Sequence, residues 1–135
     1  MASEAIGIGE EALDRAAKYA RERVVFGHPI GQNQAIQHPL AASWAALEAA
    51  NLVAFKAAWL YDQGRPCGAE ANAAKYLAGE ACFDACQQAV MTHGGYGYAA
   101  EYRVEQFWRD AKLMEIGGGT LEAHQKNIVR DLTRR

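Results

Sequence analysis

Three consecutive glycines stand near the C-terminal end of the chain, in the stretch Glu115-Ile116-Gly117-Gly118-Gly119-Thr120. Adjacent glycines disfavour a helix and let a ligand approach the backbone closely. Thr120 is a good helix N-cap, and the residues after it repeat apolar side chains at helical spacing. A glycine loop that leads into a helix N-terminus can hold an anion or a cofactor, because its free N–H groups point outward. A plain turn between two helices is the alternative interpretation.

Arg23 is the second candidate for binding chemistry. It falls on the apolar side of a predicted first helix, one turn before the helix-breaking stretch that begins at Phe26. An arginine at this place is either a snorkelling side chain favoured by the helix dipole or a contact for an anionic cofactor. The residues alone leave both interpretations open.

The three cysteines, Cys67, Cys82 and Cys86, raise the question of a metal site. An odd, low number of cysteines is typical of free thiols in a reducing compartment. Cys82 and Cys86 are spaced i,i+4 on a predicted helix, and His93 follows, which is a partial ligand pattern. Because no second pair of ligands accompanies them, we predict buried thiols and no metal.

The composition is that of one helical domain. With 135 residues the chain can bury a hydrophobic core. Alanine occupies 28 positions and proline only 3, which favours closely packed helices. The net charge of −2 gives no electrostatic basis for binding nucleic acid or an anionic membrane. No apolar run reaches the roughly 18 residues of a membrane span, and no secretory signal is visible.

Apolar periodicity predicts the elements that must position these residues. We expect helices over about 5–25, 32–63, 69–92 and 101–115, and a last helix after Thr120. Gly27 is predicted to follow the end of the first helix, and Gly64 and the glycines of 93–98 end the next two. No segment alternates long enough to predict a strand. The predicted fold is all-α, an antiparallel four-helix bundle (up-down-up-down) with an additional C-terminal helix.

The second helix carries two unusual features. Pro39 requires that the helix begins near His38 or kinks there. The amide side chains before it are predicted to cap its start rather than to bind a polar ring; they are Gln32, Asn33, Gln34 and Gln37. Its predicted apolar stripe comprises Leu40, Trp44, Leu47, Asn51, Ala54 and Ala58.

Four motifs in register resemble the C-terminal helical domain of acyl-CoA dehydrogenases. Arg23-Val24-Val25-Phe26-Gly27, with Gln34 eleven residues after the arginine, is similar to the family's Arg-x-x-Phe-Gly…Gln signature. Further matches to the family are His93-Gly94-Gly95-Tyr96-Gly97-Tyr98, Arg109-Asp110-Ala111-Lys112 and Gly119-Thr120. The resemblance covers nearly all of 1–135, which we expect to form a single domain without the family's N-terminal helical domain and middle β-domain.

The resemblance implies a homotetramer with FAD between this domain, the β-domain and a neighbouring subunit. Arg23 would meet the FAD pyrophosphate, which suits its guanidinium fork. The other cofactor residues it implies are Phe26, Gln34, Met91, Gly94, Gly95, Thr120 and Glu122. Residues 91–95 would reach the FAD of the neighbouring subunit; the family usually has glutamine in place of Met91.

The resemblance also implies a carboxylate base, because the family removes a proton alpha to a thioester while hydride leaves the beta carbon for the flavin. Many members hold this glutamate just before Gly-Thr, where this chain has Gly118. The isovaleryl- and long-chain-type branches have a small residue there and carry the glutamate on the helix that opens the domain. We therefore expect the base upstream of Met1 and expect Gly117 and Gly118 to wall the acyl-CoA substrate.

Three functions remain in view. The first is the C-terminal domain of an acyl-CoA dehydrogenase, with electron-transfer flavoprotein as partner and a cytoplasmic location, or the mitochondrial matrix in a eukaryote. The second is a same-fold flavin monooxygenase or desulfinase-like relative that lacks the base. The third is a helical assembly module without chemistry.

Overall fold

The computed structural model describes residues 1–134, which form five α-helices and one small hairpin. The helices are α1 (Ala2–Glu22), α2 (Gln34–Asp62), α3 (Gly68–His93), α4 (Val104–Ile116) and α5 (Leu121–Leu132). Two short antiparallel strands, β1 (Val24–Val25) and β2 (His28–Pro29), connect α1 to α2. Short 3-10 turns cover Ile30–Gln32, Gly94–Tyr98 and Ala100–Tyr102. The predicted bundle with an extra C-terminal helix is confirmed.

α3 is the central helix and packs against each of the other four. The first four helices alternate in direction, so α1 and α3 run parallel and α2 and α4 run opposite to them. The core is built mainly from alanine; its largest fully buried side chains are Leu47, Val104, Cys82 and Cys86. Small side chains let the helices pack closely against one another. At Gly9 of α1, an added Cβ would lie 2.7 Å from Leu47 Cδ2 and 3.3 Å from Cys82 Cα.

The hairpin corrects the prediction that the chain contains no strand. α1 ends at Glu22 with Arg23 as its C-cap, so Gly27 does not follow the helix end as predicted. Phe26 and Gly27 instead form the two central residues of the hairpin turn, with φ of 55° and 86°. Positive φ at both central residues defines the type I′ turn, whose twist matches that of paired strands. A strand of two residues is too short for the alternation on which strand prediction depends.

The start of α2 also differs from the prediction. The helix begins at Gln34 and contains Pro39 within its second turn. Asn33 occupies the N-cap position, but its side chain makes no capping bond; its backbone carbonyl accepts the N–H groups of Ile36 and Gln37. Gln37 Nε2 donates to the Gly31 carbonyl, 2.8 Å away, and so braces the preceding turn. The predicted side-chain cap is therefore not formed at the N-cap of α2, and the Gln37 amide instead braces the turn before the helix.

One side of α2 is apolar and uncovered. In the predicted stripe only Leu47 is fully buried, and Trp44 is 60% exposed. Leu52, Phe55 and Trp59 are more than half exposed as well. The stripe prediction failed because α2 is apolar on more than one side, and periodicity does not say which side meets the core. Among residues 1–134, no helix has the length and apolar character needed to cross a bilayer.

Candidate functional site

The structure sorts the predicted site residues into two groups, one at each end of α1. The first group surrounds the C-terminal ends of α1 and α3 and is called the arginine end; it comprises Arg23, Phe26, Gln34, Met91, Gly94 and Gly95. The second lies between α4 and α5 and is called the glycine-loop end; it comprises Gly117, Gly118, Thr120 and Glu122. At 1.5 Å per helical residue, α1 and α4 place the two groups roughly 20–30 Å apart.

At the arginine end, residues from α1, the hairpin and α3 line one surface cavity of about 460 Å³. Its walls are Tyr19, Arg23, Val25, Ile30, Met91, Thr92, His93, Gly94, Gly95 and Tyr96. The Arg23 guanidinium lies 5.8 Å from the centre of the Tyr96 ring. Within residues 1–134, no carboxylate forms an ion pair with it. The cavity therefore presents a cation that no acidic neighbour neutralises.

Gly94 and Gly95 form the backbone side of this cavity. Gly94 has φ 61° and ψ −136°, a conformation that is essentially restricted to glycine. Gly95 has no such restriction, and an added Cβ there would meet nothing within 4 Å. Folding alone thus does not require glycine at position 95. A group that approaches the backbone from outside would require it.

The floor of the cavity is an aromatic cluster. His93 is 6% exposed and stacks on Tyr19, with ring centres 4.3 Å apart. His93 Nδ1 lies 2.8 Å from the Ala89 carbonyl, so the N–H at this nitrogen donates to that oxygen. Tyr102 packs edge-on against both rings. This packing fixes the end of α3, from which Gly94 and Gly95 follow.

Phe26 and Gln34 stand beside the cavity rather than in its wall. Phe26, at the tip of the hairpin, is 96% exposed. Gln34 is exposed at the first position of α2. Met91 is 63% exposed and also lines a neighbouring groove of about 390 Å³ formed with the start of α2. The arginine end therefore offers an extended surface on either side of Met91.

At the glycine-loop end, the backbone requires glycine at two positions. Gly118 and Gly119 have φ of 72° and 110°. Thr120 is the N-cap of α5, as predicted, and its Oγ1 accepts the Ala123 N–H at 3.4 Å. Glu122 turns back to the same helix end. Its carboxylate accepts its own backbone N–H and the Thr120 hydroxyl, which lowers the pKa of Glu122. Hence the helix N-terminus already holds one carboxylate.

Gly118, the position at which the sequence resemblance implies a catalytic glutamate in many family members, lies against the beginning of α1. An added Cβ at Gly118 would clash with Sδ of the Met1 side chain. The left-handed φ of 72° would strain any larger residue as well. A side chain at position 118 would therefore require the Met1 side chain to move and the backbone to bear a left-handed conformation.

Lys75 is a residue of this end that the sequence analysis missed. It lies on α3, 5% exposed, and its Nζ donates to the Met114 carbonyl in the last turn of α4, 2.5 Å away. Burial lowers the pKa of Lys75, and the Glu115 carboxylate opposes that shift. A lysine within the otherwise apolar segment 73–78 was the available signal, because a lysine is almost never fully buried unless it has a partner.

The two buried cysteines do not form a metal site in the described part of the chain. Cys82 and Cys86 are fully buried, and a hydrogen bond that the Cys86 thiol donates to Cys82, together with burial, raises the pKa of the Cys86 thiol. His93 lies two turns beyond Cys86, about 10 Å along the axis. Within residues 1–134, no three side chains of ligating type come together to hold a metal ion.

Comparison with known proteins identifies this arrangement. The family profile of the acyl-CoA dehydrogenase C-terminal domain matches residues 1–133. Probable acyl-CoA dehydrogenase YngJ of Bacillus subtilis is 48% identical over 132 residues, which are 98% of this chain and 35% of that protein. Subunit CarC of the caffeyl-CoA reductase–Etf complex of Acetobacterium woodii is 44% identical over 128 residues, 95% of this chain and 34% of that protein.

A solved structure extends the comparison to the fold. Butyryl-CoA dehydrogenase from Megasphaera elsdenii matches with a TM-score of 0.95 and 38% identity, over 98% of this chain and 35% of that chain. The chain thus spans about a third of the length of the relatives it matches. The chain belongs to the acyl-CoA dehydrogenase family and corresponds to its C-terminal helical domain.

Proposed function

We propose that this chain is the FAD-binding and oligomerisation domain of a parent enzyme that dehydrogenates an acyl-CoA thioester between its alpha and beta carbons. The observation that carries the proposal is the cavity at the arginine end, which brings Arg23 together with Gly94 and Gly95. The family's Arg-x-x-Phe-Gly and Gly-Gly-x-Gly motifs are far apart in sequence. In three dimensions they line one cavity, and its arginine beside an open backbone suits the phosphates of a dinucleotide.

The residues at the arginine end fit the phosphate part of FAD. A guanidinium without an acidic partner supplies charge and a planar pair of donors for phosphate oxygens. Gly95, which folding leaves free to carry a side chain, keeps the backbone open to a close ligand. Phe26, Gln34 and Met91 extend the surface on both sides. When bound, FAD supplies the acceptor for the hydride that leaves the beta carbon.

The distance between the two groups indicates that they serve different cofactor molecules. Thr120 and Glu122 stand roughly 20–30 Å from Arg23, on the far side of the bundle. We infer that the glycine-loop end contacts the FAD of its own subunit and the arginine end that of a neighbour. This assigns Arg23 and residues 91–95 to one cofactor, because they line one cavity. A complete site then requires at least two subunits.

The glycine-loop end supports a position for the base like that in the isovaleryl- or long-chain-type branches. Gly118 cannot present a carboxylate, and the beginning of α1 touches it through Met1. A glutamate on the segment that leads into α1 would therefore enter the space beside Gly117 and Gly118. Desolvation by the acyl chain would raise the pKa of such a carboxylate and suit it to take the alpha proton. The 135 residues alone are expected to show no turnover of an acyl-CoA.

The proposed partners follow from the same chemistry. CarC, by its name, belongs to a complex with an Etf, and we propose electron-transfer flavoprotein as the acceptor for the parent enzyme here. The cytoplasm is the proposed location, or the mitochondrial matrix in a eukaryote. The strongest alternative is a same-fold flavin enzyme without the base, which the glycine at position 118 favours. A glutamate just before α1 in the parent distinguishes the two, since only the dehydrogenase needs it.

Substitution of Arg23 tests the FAD assignment in the parent enzyme. We expect Arg23→Ala to lose most of its flavin during gel filtration, as measured by absorbance at the flavin band relative to protein. Arg21→Ala is the matched control, since Arg21 is exposed on the last turn of α1 and outside the cavity. Equal flavin content in both variants would reject the role of Arg23.

The proposed role in oligomerisation can be tested on this chain itself, through the uncovered side of α2. Trp44, Leu52 and Phe55 are each more than half exposed on one side of α2, and a contiguous exposed apolar patch of this kind marks an interaction surface. We expect self-association by light scattering at micromolar concentration, and we expect Phe55→Glu to weaken it. Tyr61→Glu, at an exposed position at the end of the same helix, is the control. A chain that stays monomeric would contradict the proposal.

A further inference from the structure

Lys75 is a buried charged residue to which the proposed reaction gives no role. Its Nζ donates to the Met114 carbonyl, 2.5 Å away. Met114 lies in the last turn of α4, where carbonyl groups have no N–H partner within the helix. The ammonium group thus satisfies one of these oxygens and sits at the negative end of the α4 dipole. The glycine loop begins three residues later.

Neighbouring turns of α3 also contact the residues on both sides of the glycine loop, at the end of α4 and in α5. At Gly79, an added Cβ would lie 3.2 Å from Leu121 Cδ2 and 3.4 Å from the Met114 oxygen, so glycine lets the α4–α5 corner approach. Asn72 Oδ1 accepts hydrogen bonds from His124 and Asn127 of α5. α5 itself has no buried residue. The α4 side of the loop is therefore held by core packing of Met114 as well as by Lys75, and the α5 side by polar contacts to α3 and by Leu121 against Gly79.

We propose that Lys75 is the positioning residue of the glycine loop. By holding the Met114 carbonyl, it sets the place of Gly117 and Gly118 relative to α3 and α1. Its value to catalysis rests on the proposed function, in which these glycines wall the acyl-CoA. The positioning itself does not rest on it, because every contact lies within the 135 residues.

Amide hydrogen exchange by NMR on the chain as it stands tests the proposal. The reporters are the Gly117 N–H, which donates to the Leu113 carbonyl at 2.7 Å, and the His124 N–H, which donates to the Thr120 carbonyl at 3.2 Å. Lys75→Met keeps the apolar stem and removes the donor and the charge. Lys75→Arg keeps the donor and the charge. Lys56→Met is the control, since the Lys56 side chain is 61% exposed on α2.

If Lys75 positions the loop through its donor, Lys75→Met speeds exchange at Gly117 by about tenfold or more, as expected when a charge-assisted hydrogen bond is lost. Core amides of α1 and α2 keep their rates, and Lys75→Arg retains most of the protection. If the stem matters only as packing, Lys75→Met is neutral and the bulkier Lys75→Arg disturbs the loop, and this result overturns the proposal.

A measurement on the unsubstituted chain tests the proposal even if a variant fails to fold. A coupling across the hydrogen bond, between Lys75 ¹⁵Nζ and the Met114 carbonyl carbon, supports the role. Absence of the coupling, with Lys75 ammonium protons that exchange as fast as those of Lys56, overturns it. Neither experiment contains flavin or acyl-CoA. Failure of these ligands to bind would reject the proposed function and leave the positioning role standing.

Discussion

Phe26 occupies a backbone conformation that its side chain does not favour. It is the first central residue of the type I′ turn, with φ of 55°, and its ring is 96% exposed. A left-handed conformation costs an ordinary L-residue about 1–2 kcal/mol, and asparagine tolerates it better than most. Asn-Gly is also the pair that type I′ turns prefer. Phe26→Asn should therefore relieve strain in the free chain.

The expected change in the free energy of unfolding is the relief of backbone strain minus the burial lost with the ring. The gain is about 0.5–1 kcal/mol, since asparagine removes part of the left-handed cost. The loss is close to nothing, because a ring that is 96% exposed contributes almost no burial. The turn is tied to the fold, since the Ile30 N–H donates to the Arg23 carbonyl at 2.9 Å across the hairpin. For a chain of this size, we expect the melting temperature to rise by about 2–5 °C.

Urea and thermal unfolding followed by circular dichroism measure the effect. Tyr98→Asn is the matched control, because Tyr98 is an 88% exposed aromatic residue without a positive φ. The control should change stability by less than about 0.5 kcal/mol. If Phe26→Asn leaves stability unchanged or lowers it, the turn is not strained as described. If stability rises, the fold bears a cost at Phe26, which is consistent with its proposed role beside the cofactor.

Two further predictions concern packing and pH. Gly9→Ala should destabilise the chain by about 1–3 kcal/mol, because its Cβ would press on Leu47 and on the α3 backbone at Cys82, whereas Gly7→Ala, with nothing within 4 Å, should stabilise the same helix by up to about 1 kcal/mol. Equal effects of the two substitutions in urea unfolding would refute this packing. Glu122 has a lowered pKa in the folded state, so its contribution is present above its unfolded pKa and is lost as the pH falls through the folded one. Glu122→Gln should thus be less stable than the original chain near pH 7 and equal to it once the pH lies below the lowered folded pKa of Glu122; a difference that persists in strong acid would show that another interaction is responsible.

Residue types and spacing were sufficient to predict most of the fold. The number of helices, the bundle and the cap at Thr120 all follow from apolar periodicity and from glycine and proline breaks, which act locally. The hairpin was not predictable in this way, because its strands have two residues each and its turn places phenylalanine where sequence rules expect asparagine or glycine. The buried side of α2 was also missed, since several sides of that helix are apolar.

For the candidate site, the sequence by itself determined the motifs and hence the family, because those residue types recur at fixed spacing. Only the tertiary structure decided how they combine. It brought Arg23 to Gly94 and Gly95, which are some seventy positions away in sequence, and set both apart from the glycine loop. It also placed Met1 against Gly118 and Lys75 against Met114. These contacts depend on how α1, α3 and α4 pack together, and a pattern that repeats within one helix carries no information about its neighbours.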